Sequence, residues 1–392
     1  MMEIQNATLA SLSVDGRGSY GIGASAVERS EDLYTYLRIT DIRDDGTLNM
    51  ADLKSVDDEK ASQYLLKPND IVFARTGAST GRNYFYDGTD GEFVYAGFLI
   101  KFSIDPQKVN PKYVKYYCMS DAYKGWIHSF NTGSTRGNIN AQTLGGMPIP
   151  LPPRQQQDGI VELLSSLDNK IRKNTEVNEN LQEQAFVLFD RLFTGSQGDL
   201  CPLNQIAELN PKRQIAKGAI ARCIDMARLS TSGAFPSGWE MKPFTGGLKF
   251  TNGDTIMARI TPCLENGKTA FIDFLDESEV AFGSTEYIVV SSRGEYPAEY
   301  FYCLARYPAF VDYAVKNMNG SSGRQRVSAD ILGKFLVPML KKEEITSFVD
   351  VVPSMFQVMR NNSLENVRLT ALRDSLLPQL MSGELDVSDL DF

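Results

Sequence analysis

Four loops of this 392-residue chain combine small residues with side chains that can bind phosphate groups and nucleobase edges. In the first half they are ARTGASTGRN (74–83) and NTGSTRGNIN (131–140), and in the second half ARITPCLENGK (258–268) and NGSSGRQR (319–326). Glycine and serine allow close approach of the backbone, and amide and hydroxyl groups suit phosphate oxygens. Arginine, asparagine and glutamine can each form two hydrogen bonds with one base edge. The loops therefore predict chemistry suited to nucleic acid.

Each of these loops, taken singly, is more often an ordinary surface turn than a binding site. The occurrence of one pair in each half of the chain favours the binding interpretation. The candidate side chains are Arg75, Thr76, Arg82, Asn83, Ser134, Thr135, Arg136, Asn138 and Asn140 in the first half, and Arg259, Asn266, Lys268, Ser322, Arg324, Gln325 and Arg326 in the second.

The motifs of common catalytic and nucleotide-binding sites are incomplete here. GRGSYG at 16–21 has the glycine spacing of a dinucleotide site, but no βαβ pattern follows it, which favours a flexible loop. ENGKT at 265–269 resembles the end of a phosphate-binding loop, yet Pro262 stands where the first glycine is required. The single histidine, His128, has no partner at metal-ligand spacing, and no N-P-P-Y-like methyltransferase motif is present. We therefore predict a non-catalytic chain without a metal site.

Composition narrows the class of protein further. Five cysteines without C-x-x-C spacing predict free thiols rather than disulfides or a zinc site. No apolar stretch reaches the roughly 18 residues of a membrane span, and no signal-peptide pattern is present, so we expect a cytoplasmic location without membrane contact. The net charge of −9 by itself disfavours nucleic-acid binding. Because several acidic groups lie in the final GELDVSDLDF and in helical segments, charge alone does not decide the function.

The two halves of the chain repeat each other. Asp70 in NDIVFARTGAS and Asp254 in GDTIMARITPC are 184 positions apart (254 − 70). Further along the chain the offset becomes 188, as for Arg136 and Arg324 and for the glycines that end RLFTG and QLMSG. Repeats of solenoid proteins are about 20 to 50 residues long, so this pattern indicates one duplicated unit.

Each repeat begins with a mixed region and ends with a long helix. Strand-like runs are DIVFAR, FVYAGFLIKF, DTIMAR and TEYIVV, bounded by turn-forming residues. The following segments change to a spacing of three to four residues between apolar positions, which predicts helices of about 40 residues that span about 60 Å. Such helices need a partner along their length, and pairing with each other as an antiparallel coiled coil supplies it.

The predicted coiled-coil seam contains apolar residues and one asparagine at equivalent places in each helix. Its members are Ile160, Leu164, Leu167, Ile171, Asn174, Leu181, Phe348, Val352, Met355, Met359, Asn362 and Leu369. Asn174 and Asn362 are either polar residues that set the pairing register or solvated breaks in the apolar stripe. Pro353 and Pro378 are expected to kink the second helix or to mark its first and last segments.

The chain resembles the specificity subunit of type I restriction-modification enzymes over nearly its whole length. The resemblance lies in TLGGMPIPLPPRQQQDGIVELLSSLDNKI, in the helix ends RLFTG and QLMSG, and in PLNQIAELNPKR. A weaker echo, VPMLKKEEITSFVDVVPSMFQVM, stands at the expected place in the second repeat. The resemblance implies an α+β fold with target recognition domain 1 at 1–153, a central spacer helix at 154–196, target recognition domain 2 at 197–340, a distal spacer helix at 341–383 and an acidic tail at 384–392.

The resemblance also implies a function and a set of partners. Each recognition domain would bind half of an asymmetric, bipartite double-stranded DNA target, and the helix pair would fix the spacer between the halves. Two adenine-N6 methyltransferase subunits would dock on the helices and use S-adenosylmethionine. Restriction/translocase subunits would add ATP- and magnesium-dependent cleavage, so this chain itself would hold no cofactor.

Two other functions remain open at the level of sequence. The acidic balance suits a coiled-coil scaffold that joins protein partners without touching DNA. An independent nucleotide-dependent enzyme rests only on the incomplete phosphate-loop match. Under the DNA-reading interpretation, replacing Arg136 or Arg324 with alanine weakens binding and relaxes one half-site by about 1 to 3 kcal/mol.

Overall fold

Buried strands with small turn residues at their ends form the centre of each repeat. The computed structural model describes residues 5–130, 138–294, 296–321 and 323–387. Its chain divides into two compact units, unit 1 (Met1–Leu167 with Leu372–Phe392) and unit 2 (Asp168–Ala371). The boundaries between the units fall inside both long helices, whereas the predicted domains were consecutive segments that each ended before a helix.

Unit 1 contains two four-stranded sheets and one two-stranded ribbon. The sheet orders are β2-β9-β6-β7 and β3-β5-β4-β8, and β1 pairs with β10. The strands are β1 (Gln5–Thr8), β2 (Ser19–Tyr20), β3 (Ala26–Val27), β4 (Thr35–Leu37), β5 (Lys54–Val56), β6 (Asp70–Ala74), β7 (Asn83–Tyr86), β8 (Phe93–Tyr95), β9 (Leu99–Ser103) and β10 (Pro148–Leu151). The short helices are α1 (Pro111–Tyr117), α2 (Asp121–Ser129) and α3 (Ala141–Gly145). The glycine-rich segment predicted to be a flexible loop contains β2, which pairs with β9.

Unit 2 repeats the first of these sheets and the ribbon, whereas its second sheet has a different edge strand. Its sheets are β12-β19-β16-β17 and β14-β13-β18-β15, and β11 pairs with β20. The strands are β11 (Leu200–Pro202), β12 (Ala207–Leu209), β13 (Ile220–Ile224), β14 (Glu240–Pro243), β15 (Lys249–Phe250), β16 (Asp254–Ala258), β17 (Thr269–Ile272), β18 (Ala281–Gly283), β19 (Tyr287–Ser292) and β20 (Leu336–Pro338). The helices before the long C-terminal segment are α5 (Ala298–Arg306), α6 (Pro308–Lys316) and α7 (Ala329–Leu332), after α4 (Arg154–Gly195).

The predicted duplication is visible at the buried aspartates that begin β6 and β16. Asp70 and Asp254 are both almost fully buried, and each accepts a hydrogen bond from the backbone three residues earlier, at 2.8 and 2.7 Å. Each carboxylate also forms an ion pair, Asp70 with Lys101 and Asp254 with Arg213. A buried carboxylate needs such partners because its desolvation is costly. The two aspartates therefore have the same structural role in the two repeats.

The second long helix is less regular than the first. The predicted distal spacer helix corresponds to two helices, α8 (Lys342–Val349) and α9 (Val352–Ser382). Pro353 lies at the second position of α9, where a missing backbone N–H costs little, and Pro378 lies inside the helix near its end. Phe348 therefore lies on α8 rather than on the long helix to which the sequence assigned it.

Several predicted seam residues pack into the cores of the globular regions as well as near the other helix. Ile160 and Leu164 join the core of unit 1, and Phe348, Val352 and Met359 join the core of unit 2. The remaining apolar seam residues are only partly buried: Leu167, Ile171, Leu181, Met355 and Leu369. The predicted seam therefore combines fully buried with partly buried apolar positions.

Polar side chains connect the two helices inside unit 2. Asn174 is almost fully buried and donates from Nδ2 to Glu365 Oε2 at 2.8 Å. Asn178 Nδ2 donates to the backbone oxygen of Met359, and Asn366 Nδ2 donates to that of Ile171, at 3.3 and 3.4 Å. Asn174 is thus a hydrogen-bonded residue between the helices and not a solvated break.

The predicted acidic tail begins with an ordered segment that packs on α4 within unit 1. Gln156 donates to the backbone oxygen of Leu385 at 3.1 Å and accepts from the backbone nitrogen of Val387 at 2.9 Å. Val387 is buried against Gly159, where an added Cβ would lie 2.8 Å from the Val387 oxygen. Residues 384–387 are therefore part of the fold.

Candidate nucleic-acid interface

Backbone hydrogen bonds bring the two predicted loops of unit 1 together beside the turn between β8 and β9. The Arg75 nitrogen donates to the Phe98 oxygen at 3.1 Å, and the Ile139 nitrogen donates to the Arg75 oxygen at 2.9 Å. Thr76 forms an isolated β-bridge with Asn138. We call the three residues Arg75, Phe98 and Asn138 the first frame.

Unit 2 contains the same arrangement with different side chains. The Arg259 nitrogen donates to the Glu286 oxygen and the Val327 nitrogen donates to the Arg259 oxygen, both at 3.0 Å. Arg259, Glu286 and Arg326 therefore form a second frame, related to the first by the repeat offsets of 184 (259 − 75) and 188 (286 − 98 and 326 − 138). The sequence predicted two loops in each half, and the structure places each pair in contact.

The first frame combines a cation with exposed aromatic rings. The Arg75 guanidinium lies 5.3 Å from the centroid of Tyr20 and 5.9 Å from that of Phe98, and its Nη1 donates to Asn138 Oδ1 at 3.3 Å. Phe98 is 56% exposed and Tyr20 is 45% exposed. Exposed aromatic faces beside a fixed arginine can stack on bases or contact a thymine methyl group.

The second frame is an ion-pair cluster. Glu286 accepts hydrogen bonds from Arg326 at 2.7 to 3.0 Å, and Arg259 Nε lies 3.9 Å from the same carboxylate. The pKa of Glu286 lies below its usual value because the Arg326 guanidinium donates to the carboxylate, and the pKa of Arg326 is raised for the same reason. Both charged forms are therefore stabilised at neutral pH.

The arginines at the centre of the two frames have one further feature in common. The Nε atoms of Arg75 and Arg259 are buried without a hydrogen-bond partner among the described residues. A buried N–H without a partner is costly, so such atoms are often found at functional sites.

Within the described residues, no group of three or more histidine, cysteine or acidic side chains is placed to hold a metal ion. His128 lies in the last turn of α2, and Cys118, Cys201 and Cys303 are buried thiols. Over the same part of the chain, no helix has the length and apolar character needed to cross a lipid bilayer.

Comparisons with known proteins find one matching domain and several similar proteins. Residues 28–183 match the model of the type I restriction modification DNA specificity domain. The HindI specificity subunit of Haemophilus influenzae is 21% identical, over 82% of this chain and 87% of that protein, and the MjaIX specificity subunit of Methanocaldococcus jannaschii is 23% identical, over 71% and 70%. The crystal structure of a type I restriction-modification S subunit from M. genitalium has the same fold, with a TM-score of 0.59 and 17% identity over 97% of this chain and 96% of that chain.

Residues 28–183 therefore carry the type I restriction modification DNA specificity domain, and the chain is similar to specificity subunits of type I restriction enzymes over most of its length.

Four of the predicted site residues have hydrogen-bond or ion-pair partners within their own unit. Arg82 forms an ion pair with Asp44 at 2.6 Å, and Asn83 donates to the Cys118 oxygen at 3.2 Å. Asn140 accepts from the Thr143 nitrogen as the N-cap of α3. The fourth, Lys268, donates from Nζ to a backbone oxygen of the same unit at 2.8 Å. Each of these four side chains therefore contributes to the fold of its own unit.

The other predicted residues fall into two groups. Asn138, Asn266 and Arg324 are exposed, whereas Gln325 is partly buried and its backbone oxygen accepts from Thr261. The predictions that lie outside the described residues are Ser134, Thr135, Arg136 and Ser322.

Sequence reasoning missed two residues of the frames, Phe98 and Glu286, and also Tyr20 beside the first frame. These three residues are aromatic or acidic and lie outside the four loops of arginine, lysine and small polar residues that the sequence singles out. The repeat offset of 188 pairs Phe98 with Glu286 and could have found them together (286 − 98). A position where the two repeats differ this much in chemistry is a natural candidate for a difference in recognition.

Proposed function

We propose that this chain is the non-catalytic DNA sequence-recognition subunit of a type I restriction-modification complex. The observation that carries the proposal is that two equivalent frames hold different side chains. A repeated scaffold with Arg75, Phe98 and Asn138 in one unit and an arginine–glutamate cluster in the other suits two unlike half-sites. The target is accordingly bipartite and asymmetric.

The acidic net charge is compatible with this function because the relevant charges are local. In the first frame the guanidinium of Arg75 is paired with aromatic rings and an amide rather than with a carboxylate. Arg324 adds an exposed cation close to the second frame. Phosphate contacts depend on such local cations more than on the charge of the whole chain.

The long helices supply the spacer in this proposal. Helix α4 runs without interruption for 42 residues, and polar hydrogen bonds hold it to α9 in one register. A helix of fixed length is a suitable device for setting the number of base pairs between two half-sites. The same helices offer surfaces on which two adenine-N6 methyltransferase subunits dock.

Catalysis belongs to the partner subunits in this proposal. The methyltransferase subunits bind S-adenosylmethionine and transfer the methyl group, and restriction/translocase subunits use ATP and magnesium. The support comes from the family and from the sequence resemblance, which extends over both spacer helices. The complex acts on DNA in the cytoplasm.

Mapping of DNA methylation tests the proposed function directly. The chain is co-expressed with its methyltransferase partner in a host without DNA methylation, and N6-methyladenine is mapped by sequencing. We expect one gapped motif with two unlike halves and a fixed spacer. An intact complex that leaves the DNA unmethylated and does not bind duplex DNA at low salt would favour the alternative function as a protein scaffold.

A further inference from the structure

The geometry of the second frame points to a specific base contact: we propose that Arg326, held in place by Glu286, reads one guanine in the half-site bound by unit 2. This inference rests on the proposed function and adds the identity of a base to it. In this inference Glu286 is a positioning residue, because it acts on the base only through Arg326.

The hydrogen bonds of Arg326 leave one useful pair of donors. A guanidinium group has five N–H donors. Nε and Nη2 donate to Glu286, and Nη1 donates to the Arg324 oxygen at 3.0 Å. One N–H on each terminal nitrogen remains, and an arginine with two free donors can bind the O6 and N7 acceptors of guanine in the major groove.

The backbone around Arg326 is fixed before any ligand binds. The Arg326 nitrogen and oxygen each pair with Asn319 at 2.9 Å, which closes a hairpin at 319–326. Gly320 and Gly323 have φ values of 132° and 79° in this hairpin, where other residues would be strained. The neighbouring Val327 nitrogen binds the Arg259 oxygen. A side chain held in this way loses little conformational entropy when it contacts a base.

The carboxylate of Glu286 determines how Arg326 contributes. Both carboxylate oxygens accept hydrogen bonds from Arg326, so Glu286 is not available to accept from a cytosine amino group. Pairing also neutralises much of the arginine charge, which reduces its attraction to phosphates. Arg326 therefore contributes mainly to the choice of base.

Arg324 provides a matched contrast in the same hairpin. It is exposed, and its guanidinium has no hydrogen-bond or ion-pair partner among the described residues. An unpaired, exposed cation is suited to phosphate contact, which strengthens binding to all sequences alike. The first frame gives a second contrast, because Phe98 and Asn138 occupy the positions of Glu286 and Arg326 there.

The test uses duplexes that carry the mapped target, bound by the full-length chain in complex with its methyltransferase partner. Each guanine of the target is replaced in turn by 7-deazaguanine, which lacks the N7 acceptor but keeps O6 and normal base pairing. We expect wild-type binding to fall about tenfold or more at one guanine of one half-site. Arg326→Ala and Arg326→Lys should lose this sensitivity and accept other bases there, while the other half-site keeps its preference. Arg326→Lys keeps the positive charge that pairs with Glu286, so it serves as a control for a folding defect in Arg326→Ala.

Two further variants separate positioning from charge. Glu286→Gln should reduce the sensitivity to 7-deazaguanine at that same guanine and leave the other positions unchanged. Arg324→Ala should weaken binding to every duplex by a similar factor and keep the full 7-deazaguanine effect.

The results that overturn the inference are distinct from those that overturn the proposed function. If the Arg326 variants keep the wild-type base preference in both half-sites, or if neither half-site contains a sensitive guanine, Arg326 is not a guanine reader and sequence-specific recognition still stands. A wild-type complex without sequence preference would overturn both.

Discussion

Asn174 Nδ2 donates to Asn366 Oδ1 at 2.9 Å, and Asn362 Nδ2 donates to Asn178 Oδ1 at the same distance. The two hydrogen bonds are equivalent, because both pairs of asparagines that the repeat relates are 188 positions apart (362 − 174 and 366 − 178). The hydroxyl groups of Thr175 and Ser363 accept from the same asparagines in an equivalent way. The internal symmetry of the sequence therefore extends to individual hydrogen bonds between the helices.

We call the hydrogen bonds among Asn174, Asn178, Asn362 and Asn366 the asparagine network. Removing one amide of this network should destabilise the chain. In Asn174→Ala the partly buried Asn366 side chain loses a donor to its oxygen, and we expect the free energy of unfolding to fall by about 1 to 3 kcal/mol. Urea unfolding measures the change. Asn180→Ala is a matched control on the exposed side of the same helix, with an expected change within about 0.5 kcal/mol. Equal effects of the two variants would argue against a structural role for the network.

Lengthening both spacer helices should lengthen the gap in the DNA target. Val177 and Glu365 are repeat-equivalent positions (365 − 177), so four residues inserted after each preserve the pairing of the helices. The insertion adds about 6 Å, which is close to the rise of two base pairs. Methylation mapping should show a longer spacer with unchanged half-sites. Four residues inserted after the exposed Gly88 should leave the spacer as it was, and a constant spacer in both variants would refute the role of the helices.

The exposed loop arginines should affect binding differently from Arg82. The exposure of Arg324 favours a phosphate contact over the base contact predicted from its sequence position. Arg324→Ala should weaken binding by a similar factor for all duplexes and reduce the slope of log affinity against log salt by about 1. Arg82→Ala removes an ion pair with Asp44 and should leave the salt slope unchanged. Binding titrations at several salt concentrations distinguish the two. Arg136→Ala, at a position outside the described residues, remains a test of the first half-site.

The segment after α9 should contribute to the stability of unit 1. Val387→Ala removes two buried methyl groups next to Gly159 and should lower the free energy of unfolding by about 1 to 2 kcal/mol. Val14→Ala, at an exposed valine of the same unit, should change it by less than about 0.5 kcal/mol. Thermal unfolding of the two variants measures these changes. If Val387→Ala were as stable as the wild type, the segment after α9 would not support the fold.

The Glu286–Arg326 pair should make stability depend on pH in the acidic range. The pKa of Glu286 is lowered in the folded state by its hydrogen bonds from Arg326, whereas an unfolded glutamate titrates near about 4.3. The stabilisation is therefore present above pH about 4.3 and is lost as the pH falls through the lower folded value. Urea midpoints of the wild type and Glu286→Gln should differ from pH 6 to 8 and converge below pH 4. A difference that grows on acidification would contradict this assignment.

The sequence predicts a strand or a helix well where the residues of that element alone determine its structure. Apolar spacing gave the strands at Asp70 and Asp254 and the long helix α4, because these elements follow local patterns. The duplication was readable as constant offsets. The interruption between α8 and α9 is harder to predict from the sequence, although Pro353 indicates a segment boundary there.

The details of the interface depend on partners that are far apart in the sequence. Arg82 and Asn83 are engaged by Asp44 and Cys118, which are 38 and 35 positions away. Loop composition does not reveal such pairs. Loop composition also does not reveal Phe98 and Glu286. Their backbone oxygens accept hydrogen bonds from the Arg75 and Arg259 nitrogens, and only these contacts place them beside the predicted loops.

One contact between the helices departs from their internal symmetry, and this departure has an evolutionary consequence. Lys170 forms an ion pair with Glu365 at 3.2 Å, whereas the equivalent positions across the helix pair are Val358 and Val177, both exposed. A pair of identical polypeptides would have to carry the same residue at 177 and 365, and any substitution would appear at both ends at once. Covalent fusion of the two halves removes this constraint. Each end of the helix pair, and each set of recognition loops, can diverge separately while the asparagine network preserves their common alignment.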